Sequence, residues 1–308
     1  MNLERFLKTE RPYLTDGGLE TFMVFFKGYE LPCFSSHVLL LTDEGRAALS
    51  VYYKSFIELA EKTRRGYMLG TESWRLNSAW APKLGLSEAE MLLMNERAVE
   101  FAKSIRIQNQ ALDVPIVLNG IVGPLGDGYV IDQLRSVTEA MDAHRAQVHC
   151  LAIAGVEMIS GLTLSYSAEA IGIANVAKEV DCPVVISFTV ETDGCLPSGE
   201  TLAEAILAVD AATESCPLYY MINCAHPDHF NGVMTGSDDW KARIGGIRAN
   251  ASRRSHAELD EAEELDAGDP VELGEQYVEL QKLLPSLKVM GGCCGTDHRH
   301  ISCIAKSG

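Results

Sequence analysis

Residues 287–298, LKVMGGCCGTDH, decide the fold that we expect for this 308-residue chain. Their first half, LKVMGG, is the eighth short apolar run along the sequence, and longer segments of helical period separate these runs. The other seven are PYLTDG (12–17), GYMLGT (66–71), PIVLNG (115–120), VEMISG (156–161), PVVISFT (183–189), LYYMIN (218–223) and ARIGGIRAN (242–250). Strands that alternate with helices predict parallel βαβ units. Eight of them in this length favour a closed (β/α)8 barrel over an open sheet.

The segments between the runs carry the amphipathic period of helices. Examples are EGRAALSVYYKSFIELAEKT, SEAEMLLMNERAVEFAKSIRIQ and TLAEAILAVDAAT. No linker or shift in composition divides the chain. We therefore expect residues 1–308 to form a single barrel domain, of the α/β class.

Charge and hydropathy exclude two classes of partner. The 26 basic and 43 acidic residues give a formal net charge of −17, which argues against nucleic-acid binding because phosphate contacts need clustered Lys and Arg. No apolar run reaches the length of a membrane span, and the charged start MNLERFLKTERPYLTD is not typical of a signal peptide. We expect a cytoplasmic protein that binds neither nucleic acid nor membrane.

Nine cysteines in a cytoplasmic chain of this size suggest thiols and not a disulfide framework. Most of them are expected to act as small apolar side chains or to lie in loops. Cys224, Cys293 and Cys294 differ because they follow predicted strands.

Chemistry in a barrel of this type collects at the carboxyl ends of the strands. The polar residues at these ends are Asp16, Thr71, Glu72, Asn119, Thr189, Glu191, Asn223, Cys224, Asn250, Cys293 and Cys294. Three cysteines on one rim could hold zinc and leave its fourth position open for substrate. Three packed thiols without metal are an equal alternative, and His226, His229, His298 and His300 are weaker candidates as ligands.

Several short motifs carry a resemblance to a known family. They are DGGLET (16–21), ISFTVETDGCLPSGETLAEAI (186–206), INCAHP (222–227), RANAS (248–252) and GGCCGT (291–296). In this order, from about Tyr13 to Ile301, they resemble the homocysteine S-methyltransferase family. That family includes methyltransferases that depend on S-methylmethionine, on betaine, and on cobalamin and folate.

The resemblance implies a homocysteine-binding-type (β/α)8 barrel with Zn²⁺ held by Cys224, Cys293 and Cys294, which are then both metal ligands and catalytic residues. It also implies that a thiol substrate enters the open position of the zinc. Zinc deprotonates a coordinating thiol, and the thiolate can attack a methyl group on a cationic donor. The expected reaction converts homocysteine to methionine.

Substrate-binding residues are expected at the same rim: Asp16, Gly17, Thr71, Glu72, Glu191, Asn223 and Asn250. For Asp16 the alternative is a turn aspartate, for the asparagines structural caps, and for the two glutamates solvated loop residues. The chain departs from the family at Leu162, where relatives carry the glutamate that binds the amino group of homocysteine. Glu72 or Glu191 is a candidate to replace it.

Three functional alternatives stay open. The acceptor is homocysteine, or a different small thiol or selenol, or the barrel binds zinc or thiols without catalysis. Without a second domain for folate or cobalamin, a small donor of the S-methylmethionine or S-adenosylmethionine type is favoured. The acidic stretch HAELDEAEELDAGD (256–269) is expected to be a solvated face, with a flap over the site as the alternative. The sequence does not predict the oligomeric state.

Overall fold

The predicted barrel is confirmed by a computed structural model of the protein, which describes residues 2–236, 238–262 and 264–306. The strands are β1 (Tyr13–Leu14), β2 (Tyr67–Gly70), β3 (Ile116–Val122), β4 (Met158–Leu164), β5 (Val184–Phe188), β6 (Tyr220–Asn223), β7 (Ile244–Ala249) and β8 (Val289–Gly292). They are all parallel and form a closed ring in chain order, so that β8 pairs with β1. Each strand overlaps the apolar run that predicted it.

Helices surround this ring. They are α1 (Asn2–Leu7), α2 (Leu19–Phe25), α3 (Asp43–Lys62), α4 (Glu88–Gln108), α5 (Val137–Ala154), α6 (Ser167–Glu179), α7 (Leu202–Thr213), α8 (Pro227–Met234), α9 (His256–Asp260), α10 (Pro270–Leu283) and α11 (His298–Ala305). Short 3₁₀ segments lie at Pro32–Phe34, Ser36–Leu41, Pro82–Leu84 and Asp239–Arg243. None of the described helices is long and apolar enough to cross a membrane.

The predicted helices begin where the sequence supplies a cap. The side chain of Ser87 accepts a hydrogen bond from the backbone of Glu90, and the Glu90 side chain accepts one from the Ser87 backbone in return. Thr201 and Glu204 form the same reciprocal box at the start of α7. These boxes satisfy backbone N–H groups that have no partner inside the helix, which explains why the boundaries could be predicted from sequence.

The interior of the barrel is filled at its amino-terminal end. Phe6 of α1 packs against Tyr13 and Tyr219, with ring centroids 5.1 and 5.9 Å apart. Met68, Val117 and other strand residues complete this buried cluster. Because the amino-terminal end is closed by side chains, the open end is the carboxyl end of the strands, where the polar residues predicted from the sequence lie.

The ring closes through its shortest strand. Leu14 of β1 pairs with Tyr67 of β2 on one side and with Met290 of β8 on the other, and Tyr13 pairs with Val289. Two residues of β1 thus join the first and last parts of the sheet.

Candidate functional site

A cavity of about 460 Å³ opens at the carboxyl ends of the strands, where catalytic residues of this architecture are found. Its lining includes five of the seven substrate-binding residues expected from the sequence, Leu162, and all three cysteines that follow β6 and β8: Asp16, Gly17, Thr71, Asn223, Asn250, Leu162, Cys224, Cys293 and Cys294. Of the substrate residues predicted from sequence, Glu72 and Glu191 are not part of this lining.

The three cysteines singled out in the sequence meet at the cavity. The sulfur atoms of Cys224, Cys293 and Cys294 all lie within 4.8 Å of one another. Among the described residues, no second cluster of three or more His, Cys, Asp or Glu side chains has the spacing of metal ligands. We refer to these three residues as the cysteine group.

Cys224 and Cys293 are joined by a disulfide in the structure. The expectation that all the cysteines are thiols is therefore wrong for this pair. The residues come together because β6 and β8 lie on either side of β7, so that cysteines 69 positions apart in the chain follow strands that are separated by only one other strand. Reduction of this pair is required before both sulfurs can act as thiolate ligands.

Backbone hydrogen bonds hold the cysteine group in place. Cys224 has a left-handed φ of 55°, and its carbonyl accepts hydrogen bonds from Asn250 Nδ2 at 3.0 Å and His256 Nε2 at 2.6 Å. The carbonyl of Cys293 accepts bonds from the backbone N–H and the hydroxyl of Thr296, at 3.1 and 2.7 Å. The sulfurs therefore project from a backbone whose direction is set by several partners.

The TDGG turn packs directly against the cysteine turn. A Cβ atom on Gly18 would lie 2.5 Å from the carbonyl oxygen of Cys293, and one on Gly17 would lie 2.6 Å from that of Thr296. Only glycine permits so close an approach. Gly17 accordingly brings two backbones together, besides lining the cavity.

His256 connects the cysteine group to a loop after β5. Its Nδ1 lies 3.1 Å from Glu191 Oε1, its Nε2 lies 2.6 Å from the carbonyl oxygen of Cys224, and the ring of Tyr129 stacks on it at 3.9 Å. The carbonyl oxygen of Cys224 can only accept, so Nε2 of His256 is the donor in that bond. Glu191 thus orients a histidine and does not face the cavity.

Part of the acidic stretch covers the cavity. Leu259, Ala262, Glu264, Leu265 and Asp266 contribute to its lining. A solvated face is therefore an incomplete description of residues 256–269, and the position of this segment agrees with the alternative interpretation as a flap. In the sequence, this contact with the cavity was indicated by two leucines among the acidic residues, Leu259 and Leu265.

Asp16, Glu20, Glu72 and Arg248 form a second charged group, which we call the acidic group. Arg248 Nη2 donates to Asp16 Oδ1 at 2.7 Å, and Ser36 donates to Glu20 Oε1 at 2.9 Å. Burial by itself would lower the pKa of Arg248, but the Asp16 carboxylate raises it above its usual value. The Asp16 and Glu20 carboxyl groups thus both act on this guanidinium, and both also act on Glu72.

Glu72 is the buried member of the acidic group that has no hydrogen-bond partner. Its side chain is 3% exposed, and neither carboxyl oxygen makes a hydrogen bond of normal geometry in the described structure. Burial raises its pKa to about 8, against the smaller opposing effect of the Tyr53 hydroxyl. Glu72 is outside the cavity lining but interacts with Tyr53 and follows Thr71 in the chain, and both of these residues line the cavity. An unpartnered buried carboxyl group is costly and is typical of a site that receives a ligand.

Three residues expected to bind substrate have structural hydrogen bonds. Asn223 Oδ1 accepts from the Thr163 backbone at 2.9 Å and from Ser187 at 2.6 Å, while its Nδ2 donates to Thr163 Oγ1 at 2.8 Å. It thereby holds the irregular end of β4, where Thr163 has a φ of 63°. Thr71 Oγ1 accepts from the Ile121 backbone at 3.0 Å, whereas Asn250 keeps a buried Oδ1 without a partner in the described structure.

The four histidines considered as alternative ligands are not grouped with the cysteines. His226 caps α8, and burial lowers its pKa to about 4. His229 contacts the backbone oxygen of Arg253, and His300 contacts Asp297 and the backbone oxygen of Ala267. The ring of His298 packs on that of Phe56.

Sequence reasoning missed Arg248, His256, Glu20 and Arg75, which line the cavity. Arg248 stands inside the RANAS motif and Arg75 follows Glu72 and Trp74 in TESWRLN, so both occur in stretches already singled out. A basic residue in an otherwise apolar strand, as in IGGIRAN, was the signal for Arg248.

Comparisons with known proteins agree with this geometry. The family model described as Homocysteine S-methyltransferase matches residues 13–307. Two structures of the homocysteine methyltransferase MmuM from Escherichia coli, an oxidised and a metallated form, have TM-scores of 0.76 with 21% and 19% identity. In both cases 100% of each chain is covered. Comparison with curated proteins finds no match.

The family match extends over nearly the whole chain, and the resemblance seen in the GGCC, NC and DGG motifs is thereby confirmed. The solved structures agree with it at the level of the fold. The protein is therefore an enzyme of the homocysteine S-methyltransferase family.

Proposed function

We propose that the protein transfers a methyl group from a small cationic donor, of the S-methylmethionine or S-adenosylmethionine type, to the sulfur of homocysteine. The product is methionine. The observation that carries the proposal is the position of the cysteine group in the wall of a cavity large enough for two small substrates. The cytoplasmic location expected from the sequence stays a prediction.

The three sulfur atoms of the cysteine group fit the ligand geometry of zinc. Zinc binds thiolates at about 2.3 Å in a tetrahedral shell, so the sulfurs of such a site are separated by roughly 4 Å. The sulfurs of Cys224, Cys293 and Cys294 lie within 4.8 Å of one another, which agrees with that shell once the pair is reduced. Bound there, zinc would lower the pKa of a fourth, incoming thiol so that it loses its proton to solvent near neutral pH.

The residues of the chain itself then position the methyl donor and the acceptor. In the transfer, a lone pair of the acceptor sulfur forms the new S–CH₃ bond while the bond from the methyl group to the donor's cationic sulfur breaks. The bonding pair stays with the donor, which leaves as a neutral thioether. Such a displacement requires the two substrates in line, and the walls of the barrel supply that orientation.

The acidic group is suited to the ammonium of the acceptor. Leu162 occupies the position where the family has its glutamate, and it gives this part of the wall an apolar surface. Asp16 and Glu20 line the cavity, and Glu72 interacts with both of them and with Tyr53 of the lining. An ammonium placed here would offset the excess of carboxyl groups over Arg248. We therefore assign the amino-group contact to the strand ends of β1 and β2.

A different acceptor is the second candidate, and Leu162 is the observation that favours it. A thiol or selenol without an amino group would meet an apolar wall at this position and would leave Glu72 unpartnered. Asn250, whose buried Oδ1 has no partner in the described structure, could then receive a donor group of that acceptor.

The test is a matrix of methyl donors and thiol acceptors on reduced, zinc-loaded protein. The proposal expects methionine from homocysteine with at least one small sulfonium donor. Methylation only of acceptors that lack an amino group would replace homocysteine by the second candidate. No transfer for any pair, with zinc and fold intact, would indicate a barrel that binds zinc or thiols without catalysis.

A further inference from the structure

We infer that His256 is a positioning residue for the flap, residues 256–269. It holds the start of the flap on the Cys224 carbonyl, so that the flap is fixed at both ends and closes over bound substrate. The attachment through His256 stands by itself, whereas closure over substrate rests on the proposed function. Residues 256–262 and 264–269 of the flap are described in the structure.

His256 forms the first anchor of the flap. It is 5% exposed although it opens an acidic segment of the surface. Its Nε2 donates to the Cys224 carbonyl oxygen at 2.6 Å, and its Nδ1 lies 3.1 Å from Glu191 Oε1. The ring of Tyr129 stacks on the imidazole at 3.9 Å. A buried ring with three such partners fixes the point at which the flap leaves the barrel.

Asp266 forms the second anchor, at the other end of the flap. Its Oδ2 accepts a hydrogen bond from Ser252 Oγ at 2.6 Å. Ser252 follows Ala251, whose N–H donates to the Cys294 carbonyl at 3.0 Å. A Cβ atom on Gly295 would lie 2.8 Å from the carbonyl oxygen of Asp266, so this end of the flap packs directly on the turn after Cys294. The two anchors therefore lie on the two turns that carry the cysteine group.

The span between the anchors is held much less. In the part of it that the structure describes, hydrogen bonds stay within α9, its Ser255 cap and the turn that follows. Leu259 and Leu265 are half-buried and line the cavity, whereas Glu261 is exposed. A segment with few bonds to the barrel opens at low cost, and its apolar inner side favours closure over a ligand.

The short distance between the anchors makes them act together. His256 and Asp266 are ten positions apart, so each limits how far the span between them can move. Loss of one anchor changes a closed loop into a segment held at one end, which has far more conformations. Removal of the His256 side chain should therefore loosen the whole span, including the residues next to Asp266, and not only α9.

The experiment is hydrogen exchange, followed by mass spectrometry on peptides of the flap, with reduced, zinc-loaded protein. In His256→Ala the flap amides should exchange roughly 3- to 10-fold faster along the whole span, the range expected for one hydrogen bond. His256→Gln keeps an N–H donor for the Cys224 carbonyl and should restore part of the protection. His149→Ala is the matched control, because His149 lies on α5 and contacts Glu179 at the surface. It should leave the flap unchanged.

A second measurement tests closure over substrate. Homocysteine should slow the exchange of flap amides in wild type and should do so less in His256→Ala. The KM for homocysteine should rise in that variant by roughly the same 3- to 10-fold, because a looser flap releases bound acceptor faster. The change in kcat should be smaller, and the zinc content should stay unchanged.

Unchanged flap exchange in His256→Ala, or faster exchange confined to α9, overturns the inference. Faster exchange throughout the barrel strands also overturns it, because His256 then serves the fold as a whole. If that variant does not fold, Ser252→Ala removes the second anchor and has to loosen the same span. Wild type that methylates homocysteine without any slowing of flap exchange overturns closure. Absence of methyl transfer, with the predicted exchange pattern present, overturns the proposed function and leaves the His256 anchor standing.

Discussion

The cysteine group and the acidic group line the same cavity but differ in how completely their polar atoms are bonded. Around the cysteines, the carbonyls of Cys224 and Cys293 each accept more than one hydrogen bond. In the acidic group, both oxygens of Glu72 are buried without a hydrogen bond in the described structure. The first group is prearranged to hold sulfur atoms in place, whereas the second keeps a buried carboxyl group with which a substrate can pair.

The largest effect is expected from the cysteine group. Replacing Cys224, Cys293 or Cys294 by Ser removes one of the three thiolate ligands that we propose for zinc, so each variant should lose zinc and with it methyl transfer. Metal analysis of reduced protein together with the activity assay measures this. Cys195→Ser is the matched control, because Cys195 lies in the loop after β5 and outside the cavity lining. Full zinc retention by all three variants would place the metal elsewhere.

A smaller effect is expected from Glu72→Gln. Loss of a charge-assisted contact to the ammonium should lower kcat/KM for homocysteine by roughly 10- to 100-fold, with zinc content unchanged. Leu162→Glu in the same background should restore part of the activity, because it returns a carboxylate to the wall that now carries a leucine. An unchanged kcat/KM would remove Glu72 from acceptor binding.

The stability of the same variant distinguishes a binding role from a structural one. The pKa of Glu72 is raised to about 8 in the folded protein, so the folded state holds a proton that the unfolded state releases near 4.5. This group therefore stabilises the fold at low pH, and the stabilisation is lost as the pH rises from about 4.5 to 8. Relative to wild type, Glu72→Gln should gain thermal stability across that window, as melting curves at several pH values would show. A variant less stable at every pH would indicate a structural carboxyl group.

The smallest effect is expected from Glu191→Gln. Glu191 reaches the cavity only through His256, its side chain is about one-third exposed, and such ion pairs contribute about 0–1 kcal/mol. The variant should lose less than about fivefold in kcat/KM and should bind zinc normally. Titration of zinc content against a chelator is the sensitive measurement. A loss comparable to that of Glu72→Gln would mean that the His256 bridge positions Cys224 for chemistry.

The sequence predicted the strand order and the cysteine group because both depend on local patterns. Hydrophobic periodicity, helix caps and turn residues can be recognised within a few positions of the sequence. The carboxyl ends of the strands in a closed parallel barrel necessarily lie on one rim. The acidic group depends on contacts between distant positions: Asp16 and Arg248 are 232 residues apart. No local pattern reveals that Asp16 already has a cation beside it, or that Glu72 has no partner. No local pattern reveals either that the guanidinium of Arg75 lies 3.7 Å from the ring centre of Trp80.

The closure of the barrel through β1 has a consequence for biosynthesis. Because Tyr13 pairs with Val289, the sheet cannot become a ring until β8 has left the ribosome. Cys293 and Cys294 directly follow that last strand. In the zinc site that we propose, metal binding by all three cysteines is therefore coupled to closure of the barrel, because a nascent chain that stalls before β8 has neither a closed sheet nor two of the three sulfurs.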